Sequence, residues 1–211
     1  MEDGAGLKEK RIGGIVLGIV TNNQDKEGLG RVKVKFPWLD DGDESRWARV
    51  ATLMAGNARG CFFLPEVGDE VVIAFDHGDI NHPYVLGSLW SGADMPPDGN
   101  RDGKNNLRII KSRSGHTITF NDQDNRGNVE ICSGSGHRIL LDDSKGGEKI
   151  EIVDKTGENS ILIDSVRNAI TISCQTKLSI KARTFELESS GPMNIKSGAI
   201  LTIEGALVKI N

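Results

Sequence analysis

The sequence predicts an all-β protein in which a small closed barrel is followed by a repetitive β-structure. The 211 residues include 26 glycines, and Gly, Asn, Asp and Ser crowd between short apolar runs, which is typical of chains with many turns. Eight of the ten aromatic residues precede residue 91, which favours a compact core in the first half. The second half repeats itself at short spacing, which is typical of elongated repeat architectures.

The first half contains evenly spaced short strands. Its apolar runs cover residues 11–21, 30–38, 46–54, 60–65, 68–76 and 83–90. Five or six such strands favour a small closed barrel, and the OB-fold is the commonest solution of that size. We therefore assign residues 1–10 to a lead-in and 11–92 to an OB-fold barrel. Residues 93–106, rich in Gly, Pro, Asp and Asn, are predicted to be a linker.

One predicted barrel strand carries a regular basic edge. Val32, Val34 and Phe36 alternate with Arg31, Lys33 and Lys35, the pattern of a strand with one face in water. An ordinary barrel strand explains this pattern more simply than a basic ridge that binds a ligand.

The second half repeats in two registers. The stretch SGHTITFND (114–122) recurs as SGHRILLDD (135–143), an offset of 21 residues, and more loosely as GENSILID (157–164). Each copy is followed by a partner strand, in residues 128–133, 149–154 and 169–174. From about residue 170 the repeat tightens to pairs of apolar residues every seven or eight positions.

An eight-residue step with two apolar side chains cannot build its own core. Burying two side chains yields about 1.5 to 3 kcal/mol each, whereas ordering eight residues costs about 1 kcal/mol or more each. Three copies winding around one axis would enclose the apolar column and pair every strand edge. We predict that residues 107–211 form a triple-stranded, intertwined β-helix in a homotrimer, rather than an open meander packed on the barrel. Its predicted core is Ile170, Ile172, Leu178, Ile180, Phe185, Leu187, Met193, Ile195, Leu201, Ile203, Val208 and Ile210.

Composition argues against several functions. The net charge is −4, and residues 1–110 carry 13 Lys/Arg against 17 Asp/Glu, so the basic surface of a nucleic-acid-binding protein is missing. Three cysteines cannot all pair within one chain and lack metal-ligand spacing, so we expect reduced core thiols. We find neither a signal peptide nor an apolar run of 18 residues, and we expect synthesis in the bacterial cytoplasm.

Histidines and acids form the only candidate chemical clusters. His77 and His82 lie near Asp76 and Asp79 in a predicted hairpin loop, where these residue types serve as turn formers.

His116 and His137 occupy equivalent places in the SGH repeats. A trimer could bring three of each together around a metal or an anion, but the repeat itself explains them more simply.

The pair Asp142 and Asp143 and the acidic run 40–44 have no partner nucleophile. We therefore predict no catalytic residue, no metal site, no cofactor and no enzymatic activity.

Residues 30–56 (GRVKVKFPWLDDGDESRWARVATLMAG) and 64–90 (LPEVGDEVVIAFDHGDINHPYVLGSLW) resemble a known module. They are similar to the OB-fold of VgrG-type and baseplate-assembly-V-type spike proteins of contractile phage tails, type VI secretion systems and related injection particles. The match includes the GRVKVKFPW and RWARV strands, the PEVGDEVVIAF hairpin and the P-x-V-x-G-S-L-W closing strand. This resemblance implies a triple-stranded β-helix downstream, in agreement with the repeat.

The resemblance also implies a function and partners. Such spikes sit on a trimeric hub and breach the target envelope mechanically when the sheath contracts, touching the membrane only transiently. A hub or baseplate protein is expected at the barrel end. A PAAR-repeat tip protein is expected at the blunt carboxyl end, on Val208, Lys209, Ile210 and Asn211. The protein would be assembled into a virion or a released particle.

Several family features are absent from the sequence. The hub domain that precedes the OB module in VgrG proteins and the lysozyme domain of some phage spikes are missing from this sequence. Either a separate hub protein supplies the hub, or the sequence is a fragment of a longer chain. No histidine follows His137, so the His-x-His iron site of some short spikes is not expected.

Two other functions remain open at the level of sequence. One is an OB-fold protein that binds nucleic acid or carbohydrate and has a trimerising tail. The other is a tailspike-like glycan hydrolase, which the two Phe and no Trp of the last hundred residues disfavour.

Overall fold

The computed structural model describes residues 11–39 and 44–209. Residues 40–43, which make up most of the acidic run, lie outside the described residues. So do two predicted tip residues, Ile210 and Asn211, of which Ile210 is also a predicted core residue. The chain divides into two compact units, residues 1–111 and 112–211. In the described part all regular structure is β, apart from a 3₁₀ turn at Asp76–Gly78, so the predicted all-β class is confirmed.

The first unit contains a closed five-stranded barrel. Its chain supplies seven strands: β1 (Ile15–Asn22), β2 (Arg31–Lys35), β3 (Ala48–Val50), β4 (Ala55–Gly56), β5 (Arg59–Gly60), β6 (Glu70–Phe75) and β7 (Pro83–Ser88). The barrel closes in the order β1-β2-β3-β7-β6, and only the β3–β7 pair is parallel. Strands β4 and β5 form a separate short hairpin. The predicted OB-type barrel is therefore present.

The barrel core consists mainly of β-branched residues from alternate strand positions. Its buried members are Val20, Val32, Val34, Phe36, Ala48, Val71, Ile73, Phe75 and Val85. The predicted alternation in β2 is confirmed, because Val32 and Val34 are fully buried whereas the basic residues beside them are half-buried or exposed. Burial of this kind stabilises the fold by about 1.5 to 3 kcal/mol per large side chain.

The predicted strand at residues 60–65 is wrong. Only Arg59 and Gly60 pair, within the short hairpin, and Phe62 and Phe63 are 77% and 72% exposed. Gly60 adopts a φ of 146° close to the Met54 carbonyl, and Pro65 has no N–H to donate to a ladder. The compact core expected in the first half is present, and among the described residues two of its buried members, Phe36 and Phe75, are aromatic.

The remaining strands form a seven-stranded antiparallel meander. They are β8 (Leu107–Lys111), β9 (Thr117–Asn121), β10 (Asn128–Cys132), β11 (Arg138–Asp142), β12 (Lys149–Val153), β13 (Ser160–Asp164) and β14 (Ala169–Ser173). They lie in sequence order. From β9 to β14 each strand pairs with the next over five residues without a bulge. The strand pairs predicted for the repeats therefore form within one chain.

Residues 174–209, all of which are described, contain no strand and are exposed throughout. This segment carries the tight seven- to eight-residue repeat. The predicted intertwining of these residues with other copies stays a prediction, as do the predicted domain boundaries.

Candidate assembly surface

One face of the meander carries two continuous apolar ladders. The cross-strand pairs place one residue of each strand from β9 to β14 in each ladder. The first ladder is Ile118, Ile131, Ile139, Ile152, Ile161 and Ile172. The second ladder is Phe120, Val129, Leu141, Ile150, Ile163 and Ile170. Since alternate residues of a strand point to opposite faces, all twelve side chains share one face.

The described residues of the chain leave the ladder face largely uncovered. Eleven of the twelve side chains are 37% to 70% exposed, and Val129 is half-buried. Soluble monomers rarely expose a contiguous apolar surface of more than a few hundred Å². The face therefore has the character of an interface rather than of a solvated surface.

On the opposite face of the same sheet, charged side chains form ion pairs with one another. Leu140 is only 8% exposed there. Arg138 forms ion pairs with Glu151 and, at 4.0 Å, with Glu130, and Lys149 Nζ lies 3.7 Å from a Glu151 carboxylate oxygen. The two faces thus differ in chemistry as the inside and outside of an assembly would.

The predicted core residues fall into two groups in the structure. Ile170 and Ile172 are the last members of the ladders. The described residues beyond them are 45% to 66% exposed: Leu178, Ile180, Phe185, Leu187, Met193, Ile195, Leu201, Ile203 and Val208. None of the residues in this second group lies in a strand of the described chain. Of the predicted tip residues, Val208 and Lys209 are exposed.

Ten ladder residues were missed from the predicted core. They are the members from β9 to β13, and each lies in a copy of the longer repeat or in its partner strand. The signal was available, because every one of these strands has two apolar residues two positions apart. The core was instead predicted from the tighter repeat beyond residue 170, which covers only the end of the chain.

The barrel carries a second exposed apolar surface, here named the hairpin patch. It consists of Leu29, Leu53, Met54, Phe62 and Phe63, which are 48% to 96% exposed. The patch is held in shape by hydrogen bonds from the Thr52 hydroxyl to the Cys61 carbonyl, at 2.6 Å, and from the Cys61 N–H to the Met54 carbonyl, at 3.0 Å. Such a shaped surface is suited to contact with another protein.

The basic edge of β2 is paired within the barrel. Arg31 donates two hydrogen bonds of 2.8 Å to Asp25, and this guanidinium holds the pKa of the Asp25 carboxyl well below its usual range. Lys33 Nζ lies 2.6 Å from a Glu44 carboxylate oxygen. These contacts favour the ordinary barrel strand over a basic ligand-binding ridge.

The barrel histidines lie in the loop between β6 and β7. His82 Nδ1 is 2.8 Å from Asp79 Oδ2, and the His77 side chain is exposed at a φ of 49°. The backbone N–H of Asn81, with a further contribution from His82, lowers the pKa of Asp79. Throughout the described residues, no group of three or more His, Cys, Asp or Glu side chains has the geometry to hold a metal ion.

The repeat histidines and the paired acids lie at turns. His116 and His137 each follow a left-handed glycine and precede a strand. Asp142 accepts a hydrogen bond from the Ser144 N–H at 2.9 Å, and contacts with Ser144 lower its pKa.

The thiols differ from the prediction, because Cys61 and Cys132 are half-buried and Cys174 is exposed. Each lies near a turn or strand end rather than in the barrel core.

Within the described ranges there is no helix long and apolar enough to cross a membrane.

Comparison with known proteins identifies the barrel. Residues 16–90 match the family model of the type VI secretion system/phage-baseplate injector OB domain. The chain is 28% identical over 132 residues to the type VI secretion system spike protein VgrG3 of Vibrio cholerae. It is 38% identical over 88 residues to the spike protein VgrG2a of Pseudomonas aeruginosa, and 38% identical over 72 residues to the actin cross-linking toxin VgrG1 of Vibrio cholerae.

These similarities cover 57%, 40% and 32% of this chain but only 13%, 10% and 7% of the three relatives. The chain therefore spans a small part of their length. The matched family residues include all five barrel strands apart from the first residue of β1, so sequence and fold agree on the same module. Residues 16–90 therefore form an injector OB domain, the module through which this chain is similar to the VgrG spike proteins.

Proposed function

We propose that this protein is a non-enzymatic, homotrimeric structural spike of a contractile injection machine. The observation that carries the proposal is the bare, two-ladder apolar face of the sheet that follows an injector OB domain. The spike proteins to which the chain is similar support the same assignment.

Three copies of the sheet together would cover the exposed ladder side chains. Each sheet would form one side of a triangular prism, with its ladders inward and its charged face outward. Burying the ladder side chains in a dry interior yields about 25 cal/mol for each Å² of apolar surface. A flat pair of sheets would also cover the ladders, so the number of copies has to be measured.

Residues 174–209 would continue the prism in a different manner. Their backbone groups form no strand in one chain, and buried backbone groups require partners. In the proposed trimer, these residues pair with strands of the other two copies. A prism built in this way has no free sheet edges, and an axial load is shared by many hydrogen-bond ladders.

The two ends of the spike would have different partners. We assign the hairpin patch to the barrel's contact with a trimeric hub or baseplate protein, because it is an ordered apolar surface. We assign Val208, Lys209, Ile210 and Asn211 to the contact with a PAAR-repeat tip protein.

The spike would work mechanically and would contact the target membrane only while the machine fires. It would be made in the bacterial cytoplasm and carried in a phage-like tail or a released particle. The similarity to the actin cross-linking toxin is limited to 72 residues, 7% of that protein, and gives no ground for assigning its activity to this chain.

Light scattering tests the assembly directly. The full chain should have three times the monomer mass of 22.8 kDa. A variant that stops at Asn106 keeps the barrel with its own buried core but lacks every ladder residue, and it should be a monomer.

A monomeric full chain would overturn the proposal. A dimer would replace the prism by two facing sheets. A trimeric barrel variant would show that the barrel, rather than the ladder face, drives assembly.

A further inference from the structure

Three successive turns along one side of the meander share one construction. They cover residues 112–116, 133–137 and 154–159, and they lead into β9, β11 and β13. In each turn the first residue is Ser112, Ser133 or Asp154, and its side-chain oxygen accepts a hydrogen bond from the backbone N–H of the last residue, at 3.0 to 3.3 Å. Each turn also contains a glycine with a φ between 78° and 99°.

The last residue of each turn reaches the next turn. His116 Nδ1 accepts a hydrogen bond from the Gly134 N–H at 3.2 Å, and His137 Nδ1 accepts one from the Lys155 N–H at 3.3 Å. In the third turn Asn159 Oδ1 accepts a hydrogen bond from the Gln175 N–H at 3.1 Å. The three donors are the second residues after β10, β12 and β14, so the contact recurs periodically.

We propose that His116, His137 and Asn159 act as turn staples that fix the stacking of this edge of the sheet, and that two of the three staples open in acid. A backbone N–H can only donate, so Nδ1 of each histidine has to present its lone pair. Protonation replaces that lone pair with an N–H, and each histidine staple therefore exists only while its imidazole is neutral. The amide oxygen of Asn159 has no such dependence.

The stacked turns carry few other charges. Arg113 lies in the first turn, and Asp154, Lys155 and Glu158 lie in the third. The adjoining strand ends contribute Lys111 and Arg138. The Asp154 carboxylate already accepts hydrogen bonds from the Thr156 hydroxyl and the Asn159 side-chain amide.

Histidine changes its charge between about pH 8 and pH 5. Across that interval the first two staples should be lost and the third should be kept. The loss would loosen the turn edge at β9 to β12 while the strand ladders remain.

Single-amide hydrogen exchange on the assembled wild-type protein gives the first test. Between pH 7.5 and pH 5.0 the protection factors of the Gly134 and Lys155 amides should fall about tenfold, and that of the Gln175 amide should stay within twofold. Equal behaviour of the three amides would overturn the proposal, and this measurement requires no variant to fold.

Thermal unfolding of matched variants gives the second test. The chain has four histidines, so H116N/H137N keeps side-chain acceptors at both staples, whereas H77N/H82N changes only the barrel loop. The midpoint of the wild type and of H77N/H82N should fall by several degrees between pH 7.5 and pH 5.0, and that of H116N/H137N should fall by less than half as much. H116A/H137A should be destabilised already at pH 7.5.

An undiminished acid shift in H116N/H137N, or an alanine variant as stable as the wild type at pH 7.5, would contradict the staples. The staples lie within one chain. Evidence against the staples would therefore leave the proposed trimeric spike unaffected, and evidence against the trimer would leave the staples testable.

Discussion

At the scale of the residue, Asp154 combines a structural role with a measurable titration. The side chain of Asn159 donates to its carboxylate at 2.9 Å, and the hydroxyl of Thr156 donates at 2.8 Å. These contacts, that of Asn159 first, lower the pKa of Asp154 from 3.8 to about 2. Because the folded state holds the proton less tightly, the stabilisation is present above about pH 4 and is lost as the pH falls towards 2.

The corresponding prediction concerns Asn159→Ala. Removal of the largest contact should raise the Asp154 pKa towards 3.8, which carboxyl NMR titration can follow. Thr156→Ala, which removes the second contact, should raise it less. An Asp154 that titrates near 3.8 in the wild type would contradict the turn geometry.

Gly134 tests the close stacking of the first two turns. A Cβ atom at this position would lie 2.2 Å from the Ser114 carbonyl oxygen. Gly134→Ala should therefore destabilise the protein by about 1 to 3 kcal/mol, the usual cost of overpacking, as measured by denaturant unfolding. At Gly147 the nearest atom would lie at 3.6 Å, and Gly147→Ala should cost far less. Equal effects of the two substitutions would show that the turns stack less closely.

At the scale of the element, β14 offers a matched pair of substitutions. Ile172 belongs to a ladder, whereas its neighbour Thr171 lies on the opposite face, and both are exposed in one chain. Ile172→Asp should abolish the trimer in light scattering, because it buries carboxylates in an apolar interior. Thr171→Asp should leave the trimer intact. Trimers from both variants would show that the ladder face is not the interface.

Substitutions in the hairpin patch of the barrel should have little effect on the stability of a single chain. Phe62→Ser/Phe63→Ser should change the free energy of unfolding of the barrel by less than about 0.5 kcal/mol, as for other exposed positions. Phe36→Ala in the buried core should cost about 3 to 5 kcal/mol. Denaturant unfolding monitored by tryptophan fluorescence measures both. A large loss in the double variant would indicate that another copy, rather than a hub, covers the hairpin patch.

The strands show how far sequence predicts this fold. Strands β10, β12 and β14 were predicted to within one residue, and β9, β11 and β13 lie within the predicted repeat stretches, because each strand has two apolar residues two positions apart and a flanking turn. The error at residues 60–65 has a physical cause, since an apolar run such as Phe62 and Phe63 has the same pattern whether its own chain or another protein covers it. The staples could not be predicted either, because each acceptor and its donor are 16 or 18 residues apart and meet only once the strands pair.

At the scale of the whole molecule, amide exchange in residues 178–209 distinguishes an unpaired segment of a monomer from a segment intertwined with other copies. One chain gives their amides no strand partner, so a monomer should exchange them within seconds. In the proposed trimer they pair with the other copies and should be protected as strongly as the amides of β11 and β12. Hydrogen exchange with mass spectrometry measures the difference, and rapid exchange in a confirmed trimer would contradict the intertwined segment.

The absence of strands in residues 176–209 has a kinetic consequence. The barrel closes on its own core and its folding is a first-order process, whereas in the proposed trimer residues 176–209 become ordered only when chains meet. The final step of maturation should therefore slow steeply on dilution. At low expression the protein would accumulate as folded barrels with unfinished needles, and the supply of chains would set the yield of spikes.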